Sequence, residues 1–350
     1  MRPVRLDICA LRCLIWVLTM TGKSVDKKTG KGKEKERVFP KDEWESADII
    51  RGKKDMPWLV FIHGLGVDKR MWSAPDEARI LGGLFPLGSI IRRHARMGER
   101  NGLSGGEKAA NEKLKSLYHD LSSAGFTALA FSFRRPAAEI GEAALALKVL
   151  LDKVRAEKPC GVVLVGHSRG GLIASKYLER PDPLIKGFIS IASPHRGTTL
   201  ARWAVMARPV AALMKTVQPK RIESRTGTAI SRILAFIESP AVAELLPGSG
   251  FFTKLAPPAT KCPSVSVGGT DPRLFSFMGT GFPELFEKIM PGWALPDEIK
   301  SGLGDGLVSA KSAVYPYGQE HLDFPVNHAE PVFDCAVRGA LVKRIISFFD

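Results

Sequence analysis

A chain of 350 residues that is 45% hydrophobic can bury a substantial core, in one large domain or in two. Its formal net charge of +15 comes from scattered Lys and Arg residues, and no DNA- or RNA-binding motif accompanies them, which argues against a nucleic-acid partner. An anionic membrane or micelle surface is the better match for this charge. The five cysteines are an odd number without a C-x-x-C pair, so the sequence predicts neither a disulfide framework nor a zinc site.

Residues 1–55 are predicted to be an N-terminal apolar segment followed by a charged linker, both poorly ordered. The apolar stretch of residues 8–20 is too short to span a membrane and lacks a clear cleavage site. A marginal signal, a membrane-associated anchor and a disordered extension therefore all stay open. A cytoplasmic or membrane-associated location is favoured over secretion.

Residues 56–350 are predicted to form the folded domain, because short apolar runs alternate with helical patterns. The runs typical of buried strands are residues 58–62, 126–133, 161–165, 187–191 and 264–267. Helical spacing of apolar residues occurs in residues 138–155 and 172–178, and a last helix is predicted from Pro331 to Phe349. This alternation predicts an α/β fold with a mostly parallel central sheet and helices on both faces.

Two inserts, at about residues 72–111 and 200–255, interrupt this alternation. The second contains amphipathic stretches at residues 203–217 and 228–237 and follows a strand end directly, so it is predicted to be a helical cap over the site. For the first insert, a gating role and a peripheral decoration both stay open.

The most informative motif is the G-x-S-x-G pentapeptide of residues 166–170, which follows an apolar run and precedes a helical pattern. In this context the glycines allow a sharp strand-to-helix turn that exposes the Ser168 hydroxyl above the sheet edge. A second match around Ser104 follows a polar run instead of a strand, and so it lacks this context. The sequence therefore predicts Ser168 as a nucleophile.

An oxyanion hole is predicted from two backbone amides. His63-Gly-Leu-Gly66 follows a predicted strand, and in this position the N–H of Leu65 can point at a developing oxyanion. The N–H of Arg169, directly after the nucleophile and at the start of a helix, is the second expected donor.

The general base is expected to follow the nucleophile in the chain, which leaves His321 and His328 after His195 is assigned to the pocket wall. His328 is preferred because it lies on a loop directly before the last predicted helix, which would hold it firmly. The alternative, His321, stays open.

The acid that orients this base is Asp305 or Asp271. Asp305 lies on a Gly-flanked turn before His328, from which a carboxylate can reach an imidazole. Asp271 precedes Pro272, which is more typical of a turn or a helix cap. Asp305 is therefore preferred.

Together, these motifs resemble the α/β-hydrolase superfamily and are most similar to bacterial triacylglycerol lipases and lipase-like serine esterases. The resemblance covers about residues 55–350. It implies Ser168 as nucleophile, Asp305 as acid and His328 as base, with Leu65 and Arg169 as oxyanion donors. Glu330 falls where secreted bacterial lipases often carry a calcium-binding Asp, but no partner carboxylate is identifiable and no metal site is predicted.

The expected function is hydrolysis of carboxylic esters, lipid esters in particular, through an acyl-enzyme and without a cofactor. The expected partners are an ester or lipid substrate and a membrane or lipid interface. Acyl transfer and thioester hydrolysis stay open because the same residues serve any acyl acceptor. A non-catalytic lipid- or protein-binding module is the alternative from a different class.

Overall fold

The computed structural model describes residues 43–80, 83, 85–91, 113–202, 235, 238–274, 276–277, 280–281 and 295–349. Within these ranges, no helix is long and apolar enough to cross a membrane.

The centre of the molecule is a seven-stranded sheet. Its strands are β1 (Asp48–Ile50), β2 (Trp58–Ile62), β5 (Thr127–Ala130), β6 (Val162–His167), β7 (Ile185–Ile191), β8 (Ser264–Gly269) and β11 (Glu320–Phe324). Across the sheet they follow the order β1-β5-β2-β6-β7-β8-β11. All neighbours pair in parallel except β1, which pairs antiparallel with β5 at one edge. Because β2, β5 and β6 are buried along their whole length, they read as continuous apolar runs in the sequence.

Helices cover both faces of this sheet. The described helices are α1 (Arg70–Ser73), α2 (Leu117–Ser123), α3 (Ile140–Ala156), α4 (Arg169–Leu178), α5 (Pro240–Glu244), α6 (Gly250–Lys254), α7 (Ala310–Ala313) and α8 (Cys335–Ser347). The apolar sides of α3 and α4 join one core cluster with alternate residues of the central strands. The other faces of those strands pack with α1, α2 and α8 in a second cluster. The predicted mostly parallel sheet with helices on both faces is confirmed.

The folded domain begins earlier than the predicted boundary at residue 56. The strand β1 adds to the sheet beside β5, and Asp48 in it accepts hydrogen bonds from Lys69 Nζ (2.6 Å) and Ser73 Oγ (2.6 Å). A three-residue edge strand is too short to show a periodic pattern, so the sequence did not separate it from the charged linker.

The last helix also differs from its prediction. Pro331 belongs to a separate 3₁₀ turn, Glu330–Val332, and α8 begins only at Cys335. The Asp334 side chain caps α8 by accepting hydrogen bonds from the backbone N–H groups of Ala336 (2.9 Å) and Val337 (3.2 Å). The prediction of one continuous helix from Pro331 was therefore wrong.

Much of each insert, together with Ser104, lies outside the described residues. The predicted stretch at residues 203–217 lies wholly outside, as does all but residue 235 of the stretch at residues 228–237. The described part of the first insert contains the hairpin of β3 (Arg79–Ile80) and β4 (Phe85–Pro86), followed by a 3₁₀ turn at Leu87–Ser89. A further short pair, β9 (Ser276–Phe277) and β10 (Thr280–Gly281), follows β8. The helical cap stays a prediction.

Candidate active site

The chain turns sharply at Ser168, between the end of β6 and the start of α4. Ser168 has φ 53° and ψ −125°, a backbone conformation that non-glycine residues rarely adopt, and its N–H donates to the Ile191 carbonyl at 2.8 Å. The flanking glycines allow close packing, because a Cβ on Gly166 would lie 2.5 Å from the Gly171 nitrogen and one on Gly170 would lie 2.3 Å from the Ile62 oxygen. This geometry has the form of a nucleophile elbow.

A continuous row of hydrogen bonds starts at the Ser168 hydroxyl. Ser168 Oγ lies 3.0 Å from His328 Nε2, and His328 Nδ1 lies 2.8 Å from Asp305 Oδ2. The other carboxylate oxygen, Oδ1, accepts hydrogen bonds from the N–H groups of Leu307 (2.9 Å) and Val308 (2.7 Å). A carboxylate can only accept, so His328 carries its proton on Nδ1 and leaves Nε2 free to accept from the serine.

The row is largely withdrawn from solvent. Asp305 is fully buried, and His328 is 6% exposed. The His328 N–H also donates to the Asp305 carbonyl at 2.9 Å, so the acid and base loops are joined through the backbone as well as through their side chains. Water therefore competes little for these hydrogen bonds, which keeps them short and oriented.

The alternative acid and base have other partners. Asp271 forms an ion pair with Arg273, at 2.6 Å. His321 Nδ1 lies 2.8 Å from Ser266 Oγ, and its Nε2 lies 3.1 Å from Asp323 Oδ1. Neither residue contacts Ser168 or His328 in the described hydrogen-bond network.

His195, the residue expected in the pocket wall, is buried and follows the carboxyl end of β7 by four residues. Its Nε2 lies 2.7 Å from Ser190 Oγ, and its ring packs against Tyr315 at 4.9 Å between centroids. Burial lowers the pKa of His195 to about 3, so the ring stays neutral. A contact with substrate stays a prediction.

The segment predicted to form the oxyanion hole lies against the nucleophile. A Cβ on Gly64 would lie 3.0 Å from Ser168 Cβ, so only a glycine fits there without displacement of its neighbours. His63 links this segment to the residues after β5: its Nδ1 lies 2.8 Å from the Gly64 oxygen, and its Nε2 accepts from the Phe133 N–H at 3.3 Å. Burial lowers the pKa of His63 to about 4.

The Arg169 side chain has a structural position that the sequence did not indicate. The guanidinium group is buried and donates to the carbonyls of Pro136 (3.1 Å) and Ala138. These hydrogen bonds hold the loop that precedes α3. Burial lowers the pKa of Arg169 to about 10, while the carboxylates of Glu244 and Glu142 act in the opposite direction. Arg169 is the first residue of α4, so its backbone N–H has no acceptor within that helix.

Two residues that support the site were missed by the sequence reasoning. Asn327 holds the base loop by donating from Nδ2 to the carbonyls of Ile90 (3.0 Å) and Arg273 (3.2 Å). Glu298 is buried and accepts from the Thr199 N–H at 2.7 Å, while its own carbonyl accepts from the Gly306 N–H at 2.8 Å beside the acid. The polar residue next to a candidate base was a usable signal for Asn327. Glu298 had no such signal, because in the sequence it resembles its half-buried neighbour Asp297.

The position considered for calcium is that of Glu330. The carboxylate of Glu330 is buried and accepts from the Asn327 N–H at 3.0 Å, which supports the base loop. Among the described residues, no group of three or more His, Cys, Asp or Glu side chains is arranged to hold a metal ion.

The architecture of the α/β hydrolases is a mostly parallel sheet covered by helices. At the carboxyl edge of that sheet, a serine lies on a strained strand-to-helix turn. A sequence model for the family described as the alpha/beta hydrolase family matches residues 59–306. The chain therefore belongs to the α/β hydrolase family.

The chain is also similar to solved structures at low sequence identity. The lipase BlEst2 of Bacillus licheniformis in its propeptide form is 15% identical with a TM-score of 0.53, over 86% of this chain and 53% of that one. The present chain thus spans about half the length of that relative. The mature form of BlEst2 (15% identity, TM-score 0.47) is covered over 97% of its length, and it matches 86% of this chain. The putative non-heme bromoperoxidase BpoC of Mycobacterium tuberculosis H37Rv (16%, 0.44) is covered over 96% and matches 87%. No curated protein sequence matches the chain.

Proposed function

We propose that this protein is a serine hydrolase that cleaves carboxylic esters through an acyl-enzyme on Ser168. The observation that carries the proposal is the unbroken row Ser168 Oγ, His328 Nε2, His328 Nδ1 and Asp305 Oδ2, with 3.0 Å and 2.8 Å between the bonded atoms. A hydroxyl becomes a nucleophile when a neutral imidazole within hydrogen-bond reach takes its proton, and the imidazole works best when a third group fixes its tautomer.

In the acylation step, Ser168 Oγ attacks the ester carbonyl carbon while His328 Nε2 takes the hydroxyl proton. The imidazolium that forms is stabilised by the Asp305 carboxylate, which stays unprotonated. The carbon–oxygen bond to the leaving alcohol then breaks, and His328 returns its proton to the departing alkoxide. The products of this step are the free alcohol and an ester of Ser168.

We assign the oxyanion hole to the backbone N–H groups of Leu65 and Arg169, which would donate hydrogen bonds to the negatively charged oxygen of the tetrahedral intermediate. Neither N–H donates a hydrogen bond to any residue in the described part of the chain, so both are available to an oxyanion. The closeness of Gly64 to Ser168 supports the same assignment. Donors that are fixed before the reaction stabilise the developing charge without reorganisation, and losing one typically costs about 10²–10³ in kcat.

Deacylation repeats the same steps with water. His328 takes a proton from water, the hydroxide oxygen attacks the acyl carbon, and the proton returns to Ser168 Oγ as the acid is released. An alcohol in place of water would make the protein an acyltransferase, and a thioester in place of the ester would make it a thioesterase. The ratio of acid to transferred ester, measured with glycerol added, separates hydrolysis from transfer.

Lipid esters presented at an interface are the proposed substrate class. Leu303 and Leu307 lie on the loop that carries the buried Asp305, yet these two residues are 43% and 39% exposed. Contact of these two exposed leucines with a lipid surface would remove their apolar side chains from water, which is favourable. The net charge of +15 favours a lipid surface that is anionic.

The interface proposal is tested by replacing both leucines with Ser. We expect lower activity on long-chain esters in anionic micelles and unchanged activity on soluble acetate esters. The matched control is Leu145→Ser with Val149→Ser, an exposed apolar pair on α3 that should change neither activity. Equal losses in the two double variants would contradict the proposal.

The hydrolase proposal itself is tested by Ser168→Ala with a p-nitrophenyl ester panel from acetate to palmitate. We expect wild-type protein to turn over esters and to be labelled stoichiometrically by an active-site phosphonate, and Ser168→Ala to lose both properties while remaining folded. Triad members act as a unit, so the loss in kcat should reach several orders of magnitude. Absence of phosphonate labelling in the wild type would favour a binding module, and unchanged turnover in Ser168→Ala would exclude this serine.

A further inference from the structure

We propose that His167 is a positioning residue that fastens the base loop to the nucleophile strand. His167 is the last residue of β6 and directly precedes Ser168, and its ring nitrogen Nε2 lies 2.9 Å from the backbone carbonyl oxygen of His328. His167 is therefore connected to both the nucleophile and the base. It is joined to Ser168 by the peptide bond and to His328 by this hydrogen bond. The inference rests on the proposed function and adds a role that the triad does not include.

The direction of this hydrogen bond follows from the chemistry of its acceptor. A carbonyl oxygen can only accept, so Nε2 of His167 must carry the proton. The other nitrogen, Nδ1, is buried and has no hydrogen-bond partner among the described residues. A Cβ on Gly64 would lie 3.1 Å from this nitrogen, so the ring is enclosed between the oxyanion segment and the base loop.

The ring is suited to a fixed, uncharged role. His167 is 5% exposed and packs against the rings of His328 (5.1 Å between centroids) and Trp72 (6.4 Å). Burial lowers the pKa of His167 to about 3, and the nearby His328 ring acts in the same direction. His167 therefore stays neutral while His328 gains and loses its proton, and it does not compete for that proton.

The consequence is that the backbone of His328 is held at both ends. Its N–H donates to the Asp305 carbonyl at 2.9 Å, and its carbonyl accepts from His167. Without the second bond, the His328 ring can drift from Ser168 although its bond to Asp305 survives. A misplacement of about 1 Å can cost about 10²-fold in rate.

The test uses full-length protein and three variants. His167→Met fills a similar volume without a donor, and His167→Gln offers an amide N–H at a similar reach. The matched control is His119→Met, which removes a ring whose Nδ1 accepts from the Ser116 N–H at 3.2 Å at the start of α2. In the described network of hydrogen bonds and ring contacts, His119 does not contact Ser168, His328 or His167. Kinetics are expressed per phosphonate-titrated Ser168, so that misfolded protein does not count. Exchange of the His328 Nδ1 proton with solvent is measured by NMR on the free protein.

We expect His167→Met to lower kcat per titrated site roughly 10- to 100-fold with little change in KM, because ester binding does not use His328. His167→Gln should recover most of this loss, and His119→Met should lower the melting temperature without lowering kcat per site. Wild-type kcat per site in His167→Met, or no recovery with Gln, would overturn the inference.

The NMR arm separates this inference from the proposed function. Faster exchange of the His328 proton in His167→Met supports the anchoring role even if no ester is turned over, and unchanged exchange overturns it. Failure of the wild type to react with the phosphonate would count against the hydrolase proposal alone.

Discussion

Replacement of Asp305 by Asn distinguishes a structural carboxylate from one that orients the base. In the structure, Oδ1 of Asp305 accepts from two backbone amides, of Leu307 and Val308, while Oδ2 faces Nδ1 of His328 at 2.8 Å. An Asn side chain has one acceptor oxygen and one NH₂ group. The oxygen should keep the two backbone amides, which turns the NH₂ group toward His328.

The size of the effect follows from the tautomer that this arrangement selects. An NH₂ group opposite Nδ1 favours an imidazole that is protonated on Nε2, and such a ring cannot take a proton from Ser168. The wrong tautomer costs about 10⁴ in kcat, equivalent to about 5.4 kcal/mol of transition-state stabilisation. The melting temperature should change little, because Asn has nearly the same volume and retains both backbone hydrogen bonds.

The assay measures kcat on a soluble p-nitrophenyl ester per phosphonate-titrated site, together with the melting temperature. The matched control is Asp271→Asn, which weakens an ion pair with Arg273, whose side chain is 60% exposed. In the described hydrogen-bond network, the Asp271 carboxylate accepts from Arg273 and not from His328 or Ser168, so this variant should stay within a few-fold of the wild-type kcat. A larger loss in Asp271→Asn than in Asp305→Asn would refute the reasoning and transfer the acid to Asp271.

Two further predictions concern the close packing and the buried rings of the site. Gly64→Ala should lower kcat about 10-fold or more, because its Cβ would lie 3.0 Å from Ser168 Cβ. The control Gly339→Ala should leave kcat unchanged, because nothing lies within 4 Å of its Cβ. Equal kcat in the two variants would show that the oxyanion segment can shift to accept the methyl group. The free energy of unfolding should decrease as the pH falls below about 6.5, since burial lowers the pKa of three histidines to about 4 or about 3 and only the unfolded chain takes up their protons in this range. The slope should approach about 4 kcal/mol per pH unit between pH 6 and pH 5, from three protons. The three histidines are His63, His167 and His195. Urea unfolding across this pH range measures the slope, and His195→Gln should reduce the proton uptake on unfolding by about one. An unchanged uptake would mean that His195 titrates in the folded state.

Local sequence patterns determined the architecture and the turn at Ser168. Strands buried on both faces are apolar along most of their length, so β2, β5 and β6 were visible as short runs, and the alternation of such runs with helices indicated a parallel sheet. The turn after β6 was equally visible, because each of its glycines is required by a contact within a few residues or with the neighbouring strand. Short edge elements such as β1 escaped detection because three residues carry no period.

Only the tertiary structure decided which side chains meet. His328 lies 160 residues beyond Ser168 in the chain, and its contact with the serine depends on how β7, β8 and β11 are ordered along the sheet. Sequence spacing ranked Asp305 above Asp271 and His328 above His321, but it contained no measure of the distances, and the catalytic roles stay predictions. The contact between His167 and the carbonyl of His328 had no sequence signal at all, because backbone acceptors are the same at every residue. Local patterns report which face of an element is buried, whereas contacts between loops at the sheet edge arise only when the whole sheet has assembled.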